Sequence, residues 1–290
     1  MSEMTMSEVM ERYGPSEIEV EDVLTPDDPA FRPEHVAIVT GAANGIGRAT
    51  AIALAVNGLS VLGVDADTEG LFEVQERLQA LRADGTFLPM EANLTCDEDI
   101  ESAVESASTH GSVRYLANIA GIQHIDPIER FPLDVYDEMH SIMQRAPLAL
   151  TRECWPHFTE NPDGGVVGNM CSVHGHIVTR DKVAYNMVKF GLRGLTQSIA
   201  AEGGGNIRAF SVSTGYVKTE LVAKQLPDTA DQRGMTIDEV VEKVLLGQTR
   251  VKELMEPIEV ANLFVQGFSR HGDHLNGGDL TYDGGMSATY

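Results

Sequence analysis

Short apolar runs rich in β-branched residues recur along the chain, and stretches with a helical spacing of apolar positions separate them. Such runs are typical of strands buried on both faces of a parallel sheet. They lie at residues 36–39, 59–64, 86–90, 113–118, 165–170, 207–212 and 280–282. Helices are predicted over residues 48–56, 68–83, 97–108, 133–160 (interrupted by Pro147 and Pro156), 185–202 and 257–268. This alternation predicts an α/β fold in which a doubly wound parallel sheet of the Rossmann type carries helices on both faces.

Two regions depart from the alternation. Residues 1–34 are acidic and lack a sustained apolar period, so we expect an acidic, mobile arm ahead of a single domain over residues 35–290. At about residues 216–254, short polar helices at 219–225 and 237–253 are separated by a loop. That composition suits a small helical lid that closes over a substrate.

The charge of the chain limits its partners. Its 44 acidic and 21 basic residues give a formal net charge of −23. This charge repels nucleic-acid phosphates and anionic membrane surfaces, so we expect neither as a partner. A carboxylate-rich surface also favours solubility in high salt, which predicts a salt-adapted protein. Scattered cysteines without Cys-x-x-Cys spacing, an acidic N-terminus and the lack of a membrane-length apolar run predict a cytoplasmic location.

A glycine-rich turn, TGAANGIG at residues 40–47, follows the first apolar run and opens a helix. In this setting glycines let the backbone approach a pyrophosphate, and the N–H groups at the helix start favour its negative charge. Asp65 ends the second run about 20 residues later, where a carboxylate can bind the ribose hydroxyls of adenosine. It would also repel a 2′-phosphate, and Asn44 supplies no cation to offset it, so the sequence predicts NAD as the cofactor.

Tyr185 and Lys189 are four residues apart, a spacing that places both side chains on one face of a helix. A nearby ammonium group favours an ionised phenol and so lowers its pKa from a free value of ~10. Tyr185 would then serve as a general acid or base, with Ser172 bound to the same substrate oxygen. The same spacing also occurs on ordinary amphipathic helices, so the upstream glycine turn decides in favour of catalysis.

These features resemble the short-chain dehydrogenase/reductase family across about residues 35–290. The resemblance rests on residues 40–47, NIAG at 118–121, Ser172, YNMVK at 185–189 and DGG at 283–285. It implies hydride transfer between NAD and an alcohol or ketone, with Tyr185 as acid and base, Lys189 on the nicotinamide ribose and Ser172 on the reacting oxygen. It also implies a homotetramer, and we expect the helices around Leu148 and Leu192 at a shared interface. The implied cofactor-binding residues are Gly41, Asn44, Gly45, Ile46, Gly47, Asp65, Asn93, Leu94, Asn118, Tyr185, Lys189, Val217 and Thr219.

A closer resemblance, to the 3-hydroxybutyrate dehydrogenases within that family, concerns the substrate. It rests on GIQH at residues 121–124, SVHG at 172–175, KVAY at 182–185 and LVAKQ at 221–225. It implies a short 3-hydroxy acid or its ketone as substrate. The implied substrate-binding residues are Gln123, His174, Lys182 and Gln225 on the carboxylate, with Ser172 and Tyr185 on the reacting oxygen.

Met143 departs from the family pattern, since it stands where the family has a catalytic Asn and cannot donate a hydrogen bond. The neighbouring Gln144 would point about 100 degrees away on a helix. Two alternatives therefore stay open: another short-chain alcohol or sugar dehydrogenase, or a dinucleotide-binding protein with little turnover. The histidine pairs at residues 174–176 and 271–274 lack the partners of a zinc motif, so we expect no metal.

Overall fold

A parallel sheet forms the centre of the protein. The computed structural model describes residues 4–288, so residues 1–3 of the predicted arm and residues 289–290 of the predicted domain lie outside the described residues. Within that range the sheet has seven strands in the order β3-β2-β1-β4-β5-β6-β7, and every pairing is parallel. The strands are β1 (His35–Thr40), β2 (Ser60–Asp65), β3 (Thr86–Glu91), β4 (Ser112–Asn118), β5 (Gly165–Met170), β6 (Ile207–Thr214) and β7 (Asp279–Tyr282). The predicted doubly wound fold is confirmed.

Helices cover both faces of the sheet. They are α1 (Met6–Tyr13), α2 (Gly45–Val56), α3 (Thr68–Leu81), α4 (Asp97–His110), α5 (Leu133–His140), α6 (Ala146–Glu160), α7 (Val183–Glu202), α8 (Glu220–Arg233), α9 (Ile237–Glu239) and α10 (Pro257–Phe268). Alternate residues of β1 enter two different cores: Ala37 and Val39 pack with α2 and α10, while Val36 and Ile38 pack with α4 and α6. This two-residue period is the signature of a strand buried on both faces.

The long helical region before β5 is interrupted differently from the prediction. A π-helical turn, Ser141–Arg145, separates α5 from α6. Pro147 lies in the first turn of α6, directly after this π-helical turn, and the backbone before it is helical. Pro156 lies inside α6, so the predicted interruption there is wrong. Met143, the residue that departs from the family pattern, lies in this π-helical turn. Such turns often occur at functional sites.

The predicted lid region has a different helical content from the prediction. Helix α8 continues to Arg233, and Gly234 ends it in the left-handed region with φ +62. After it, α9 runs directly into a second π-helical turn, Val240–Leu245, and the chain then has no helix until α10. The helix predicted over 237–253 is therefore shorter in the structure.

The N-terminal segment contains a helix that its apolar spacing did not predict. Thr5 and Glu8 form a reciprocal capping box at the start of α1, and Val9 is fully buried. Farther along, the N–H of Leu24 donates to Asn262 Oδ1 over 2.8 Å, which ties the segment to α10. Within residues 4–288, each helix is too short or too polar to cross a bilayer.

Candidate active site

A cavity of about 1080 Å³ opens at the carboxyl ends of the parallel strands. The glycine turn after β1, the segments after β4 and β5, the start of α7 and the lid all line it. Open α/β sheets bind ligands at this edge, because the loops that leave the strands diverge there. The predicted catalytic, cofactor-binding and substrate-binding residues, with the exception of Asn118, line this one cavity.

The glycine turn is shaped for close approach to a ligand. Gly41 has φ +68, and a Cβ there would lie 2.8 Å from the Cα of Ala120. A Cβ on Gly47 would lie 1.9 Å from the carbonyl oxygen of Gly41, so no side chain fits at either position. The 12-residue helix α2 begins at Gly45, and the N–H groups of its first turn face the cavity edge. These residues fit the pyrophosphate of a dinucleotide.

Asp65 lies at the end of β2 beside the glycine turn. Its Oδ2 accepts the N–H of Ala43 over 3.0 Å, and its Oδ1 accepts the N–H of Asp67 over 3.0 Å. Asn44 Nδ2 donates to Asp67 Oδ2 over 3.0 Å, so a second carboxylate lies at the same edge. The backbone bond from Gly70 holds the pKa of Asp67 below its usual range. Two negative charges therefore border the place predicted for the adenosine ribose.

Asn118 is held inside the protein instead of at the cavity. Its Nδ2 donates to Asn169 Oδ1 over 2.8 Å, and Asn169 Nδ2 donates to Thr196 Oγ1 over 2.9 Å. The two amides join β4, β5 and α7 in a buried chain. The side-chain amide of Asn118 bridges neighbouring strands, while its Oδ1 has no hydrogen-bond partner within residues 4–288, and its placement at the cofactor stays a prediction.

Tyr185 and Lys189 lie one helical turn apart on α7, and Ser172 hydrogen-bonds to Tyr185. The Nζ of Lys189 lies 5.4 Å from the centre of the Tyr185 ring and donates to the Met170 carbonyl over 2.7 Å. Burial lowers the pKa of Lys189 to about 8. Burial raises the pKa of Tyr185 to about 12, against the opposing effect of the Ser172 bond.

The predicted lowering of the Tyr185 pKa by Lys189 is wrong for this arrangement. The ammonium group lies over the ring and donates a hydrogen bond to the backbone carbonyl of Met170. Desolvation destabilises the phenolate and so raises the pKa of Tyr185. A neutral phenol therefore lies at the centre of the site at physiological pH. Such a group is ready to donate a proton to a ketone oxygen.

One of the predicted carboxylate-binding residues, His174, lies beside this phenol. His174 lies edge-on to the Tyr185 ring, with its Nδ1 3.2 Å from Ser172 Oγ and its Nε2 2.9 Å from Thr179 Oγ1. Burial, followed by the charges of Lys182 and Lys189, lowers the pKa of His174 to about 4. His174 is thus a neutral hydrogen-bonding group near pH 7.

Lys182 lies with its Nζ 5.6 Å from the centre of the Tyr216 ring, and burial lowers its pKa. No carboxylate oxygen of residues 4–288 lies within salt-bridge distance of this ammonium group. A partly desolvated cation that faces a cavity without a counter-ion favours the binding of an anion there.

Met143 is 1% exposed and lines the cavity wall. A Cβ on Gly121 would lie 3.1 Å from its sulfur atom, so the two residues are in tight contact. A Cβ on Gly191 would lie 1.6 Å from the amide nitrogen of Gln144, which shows that Gln144 packs against α7. Gln144 does not line the cavity and cannot take over the role of the missing Asn.

The cavity residues that sequence reasoning missed include Arg180, Tyr216 and Arg233. They lie in a loop, after β6 and at the end of α8, and no motif marks them. His176, from one of the histidine pairs, hydrogen-bonds to Asp279 over 3.0 Å and to Ser213 over 3.2 Å. Among residues 4–288, no three His, Cys, Asp or Glu side chains come together in a way that could hold a metal ion.

Comparison with known proteins agrees with this geometry. Residues 35–230 match the model of the short chain dehydrogenase family, so the match begins after the segment that carries α1. The chain is 32% identical over 257 residues to an uncharacterized oxidoreductase, YxjF, of Bacillus subtilis, covering 88% of this chain and 99% of the relative. It is 30% identical over 256 residues to a D-beta-hydroxybutyrate dehydrogenase of Rhizobium meliloti, covering 87% and 98%. The crystal structure of levodione reductase is similar to it, with a TM-score of 0.82, 26% identity and coverage of 89% and 100%.

Proposed function

Because the chain belongs to the short-chain dehydrogenase/reductase family, whose members are oxidoreductases, we propose that it transfers hydride between NAD and a short 3-hydroxy acid of the 3-hydroxybutyrate type. The ketone acid is the product of oxidation and the substrate of reduction. One observation carries this proposal: Lys182, a cavity-facing ammonium group without a carboxylate partner, lies in the same cavity as Tyr185 and Ser172. Gln123, His174 and Gln225 add uncharged hydrogen-bonding groups around it.

The charge around this part of the cavity supports an anionic substrate. Arg180 and Arg233 line the cavity together with Lys182, although the chain as a whole carries a net charge of −23. The carboxylates that line it are Asp65 beside the glycine turn, Glu220, which bonds to Lys224 over 2.9 Å, and Asp181, which precedes Lys182 in the chain. Arg180, Lys182 and Arg233 still bring more positive than negative charge to this part of the cavity, which favours an anion.

The roles of the reacting groups follow from their protonation states. In the direction of reduction, Tyr185 donates its proton to the carbonyl oxygen, and Ser172 holds that oxygen by a hydrogen bond. In the direction of oxidation, the substrate hydroxyl gives its proton to Tyr185 as a phenolate, which a pKa of about 12 makes scarce at physiological pH, so oxidation should become faster as the pH rises. When bound, NAD accepts the hydride from the carbinol carbon, and NADH supplies it in the reverse direction.

The preference for NAD over NADP rests on Asp65. Its carboxylate is fixed by two backbone N–H groups at the edge of the glycine turn, with Asp67 beside it. The guanidinium of Arg48, on the neighbouring helix, is already paired with Glu73 over 3.0 Å. A 2′-phosphate would therefore meet negative charge without a free cation from Arg48 to offset it.

A charge-removing variant tests the carboxylate site. Lys182→Met should lower kcat/KM for 3-hydroxybutyrate by about 10- to 100-fold, since a hydrogen bond to a charged group contributes about 1.5–3 kcal/mol. Turnover of a neutral secondary alcohol should change little. Arg130→Gln is a matched control, because Arg130 is an exposed cation bound to Asp126 outside the cavity. Equal losses for acid and alcohol would contradict the assignment of Lys182.

A second candidate function rests on Met143. Its thioether stands in the cavity wall where the family has a hydrogen-bonding side chain, which favours a dinucleotide-binding protein with little turnover. Turnover should be measured with hydroxy acids and with neutral alcohols and sugars. Little turnover of any of them would favour the dinucleotide-binding protein, and turnover confined to alcohols or sugars would favour another dehydrogenase.

We also propose a cytoplasmic homotetramer in which α6 and α7 form an interface. Leu148 on α6, and Met187 and Phe190 on α7, are 55%, 52% and 44% exposed. Leu192, which the sequence had placed at this interface, is 2% exposed and packs inward. Solution scattering tests the assembly, and a monomer under conditions in which the protein is folded would contradict it.

A further inference from the structure

Helix α1 packs against the lid without lining the cavity. Val9 is fully buried in an apolar cluster that includes Leu226, Val240 and Leu245. The last three also line the cavity. These three side chains therefore belong to the cluster in which α1 packs, and they also form part of the cavity wall.

Polar contacts fix α1 at the start of the second lid segment. The hydroxyl of Tyr13 donates to Asp238, and Arg12 Nη1 lies 3.1 Å from Asp238 Oδ2. Asp238 lies in α9, two residues before the cavity residue Val240. Burial, reinforced by the bond to Asp238, raises the pKa of Tyr13 to about 12, so the hydroxyl remains a donor at physiological pH.

A third contact joins the segment after α1 to both ends of the lid. The N–H and Oγ of Ser16 donate to the carboxylate of Glu256 over 3.0 and 3.1 Å. Lys218 Nζ donates to the same carboxylate over 2.6 Å. Lys218 precedes α8 and Glu256 precedes α10, so one carboxylate links the two bases of the lid to the N-terminal segment.

We infer that α1 is a positioning element of the substrate site, in which Val9 and Tyr13 hold the lid over the reacting groups. The lid carries Gln225 and the apolar wall. Val217 and Thr219, two predicted cofactor-binding residues, begin the lid, and Val217 packs in a different apolar cluster from Val9. A lid that is ordered in advance spares the substrate the entropy cost of ordering it on binding. The substrate named here rests on the proposed function, but the contacts between α1 and the lid do not.

The double variant Val9→Ala/Tyr13→Phe tests this role. It should raise KM for the hydroxy acid roughly three- to tenfold, because the packing of the lid loses two methyl groups and the hydrogen bond from Tyr13 to the Asp238 carboxylate. Values of kcat and of KM for NAD should stay within about twofold. Hydrogen exchange of the backbone amides in residues 220–246 should become faster, because the lid opens more often.

Arg77→Met provides the matched control. Arg77 on α3 donates to the Ile18 carbonyl and to Glu19 over 2.8 Å, so its removal loosens the same N-terminal segment away from the lid. Arg77→Met should leave the hydrogen exchange of residues 220–246 and KM for the hydroxy acid unchanged. The inference is overturned if the double variant leaves substrate KM unchanged, or if Arg77→Met has the same effects.

The two proposals fail in different ways. Wild-type protein that oxidises no hydroxy acid overturns the proposed substrate, and KM is then measured with whichever alcohol it oxidises. If the protein has no measurable turnover, hydrogen exchange alone tests the role of α1. Faster lid exchange confined to the double variant supports the role of α1, and unchanged exchange overturns it.

Discussion

The Nζ atom of Lys189 lies over the ring of Tyr185, 5.4 Å from its centre. The ammonium group donates to the Met170 carbonyl, and burial keeps the phenol protonated with a pKa of about 12. Burial, and not the charge of Lys189, therefore sets the protonation state of Tyr185. The neutral phenol, which hydrogen-bonds to Ser172, can donate its proton to the substrate.

Replacing the phenol should remove turnover. Tyr185→Phe keeps the ring over Lys189 but deletes the group that carries the proton, so kcat should fall by about 10²- to 10⁴-fold. Affinity for NADH, followed by its fluorescence, should change little because the glycine turn and Asp65 are untouched. A variant that retains near-normal kcat would show that another group moves the proton.

Restoring the family residue at position 143 should raise turnover. Met143→Asn brings a hydrogen-bonding amide to the cavity wall, and kcat should increase severalfold while NAD affinity stays nearly constant. The exchange also buries a polar group, so the free energy of unfolding should fall by about 1–3 kcal/mol. Met143→Leu keeps the apolar wall and is the control. If Met143→Asn leaves kcat unchanged in an active enzyme, turnover does not depend on a hydrogen-bonding side chain at position 143.

The cofactor preference should depend on the charge of Asp65. Asp65→Ala removes both the acceptor for the ribose hydroxyls and the repulsion of a 2′-phosphate. The ratio of kcat/KM for NAD to that for NADP should therefore fall by at least about tenfold, which corresponds to about 1.4 kcal/mol. Steady-state rates with both cofactors measure it. Equal use of NAD and NADP by the unmodified protein would refute the role of Asp65.

Buried His174 should make the fold sensitive to acid. Its pKa is about 4 in the folded protein and about 6.5 when unfolded, so the unfolded state binds more protons between these values. Its stabilising contribution is present above pH 6.5 and is lost as the pH falls towards 4, by about 3 kcal/mol at the limit. Denaturant unfolding of wild type and of His174→Gln measures it. Parallel pH profiles for the two proteins would contradict this prediction.

The fold was predictable because its pattern is local. Each buried parallel strand is a short apolar run, and β1, the glycine turn and α2 follow one another without a gap in the sequence. The order of Ser172, Tyr185 and Lys189 along the chain likewise fixed their place at one sheet edge. Local sequence contains this information because side chains repeat with a fixed period along strands and along helices.

The rest depended on tertiary contacts. The amide of Asn118 turns inward because Asn169, 51 residues later, offers an acceptor. The pKa of Tyr185 is raised because desolvation outweighs a neighbouring cation, a balance that residue spacing does not contain. Helix α1 forms because its one buried residue, Val9, meets the lid more than 200 residues away in sequence. No apolar period could show that partner.

The most direct test is the wild-type protein in an absorbance assay for NADH, with 3-hydroxybutyrate and a neutral secondary alcohol of the same carbon number, at low and high salt. We predict turnover of the hydroxy acid with NAD, at a kcat/KM well above that for the neutral alcohol. Turnover confined to the neutral alcohol, or no turnover of either compound in protein that binds NADH, would contradict the proposed function.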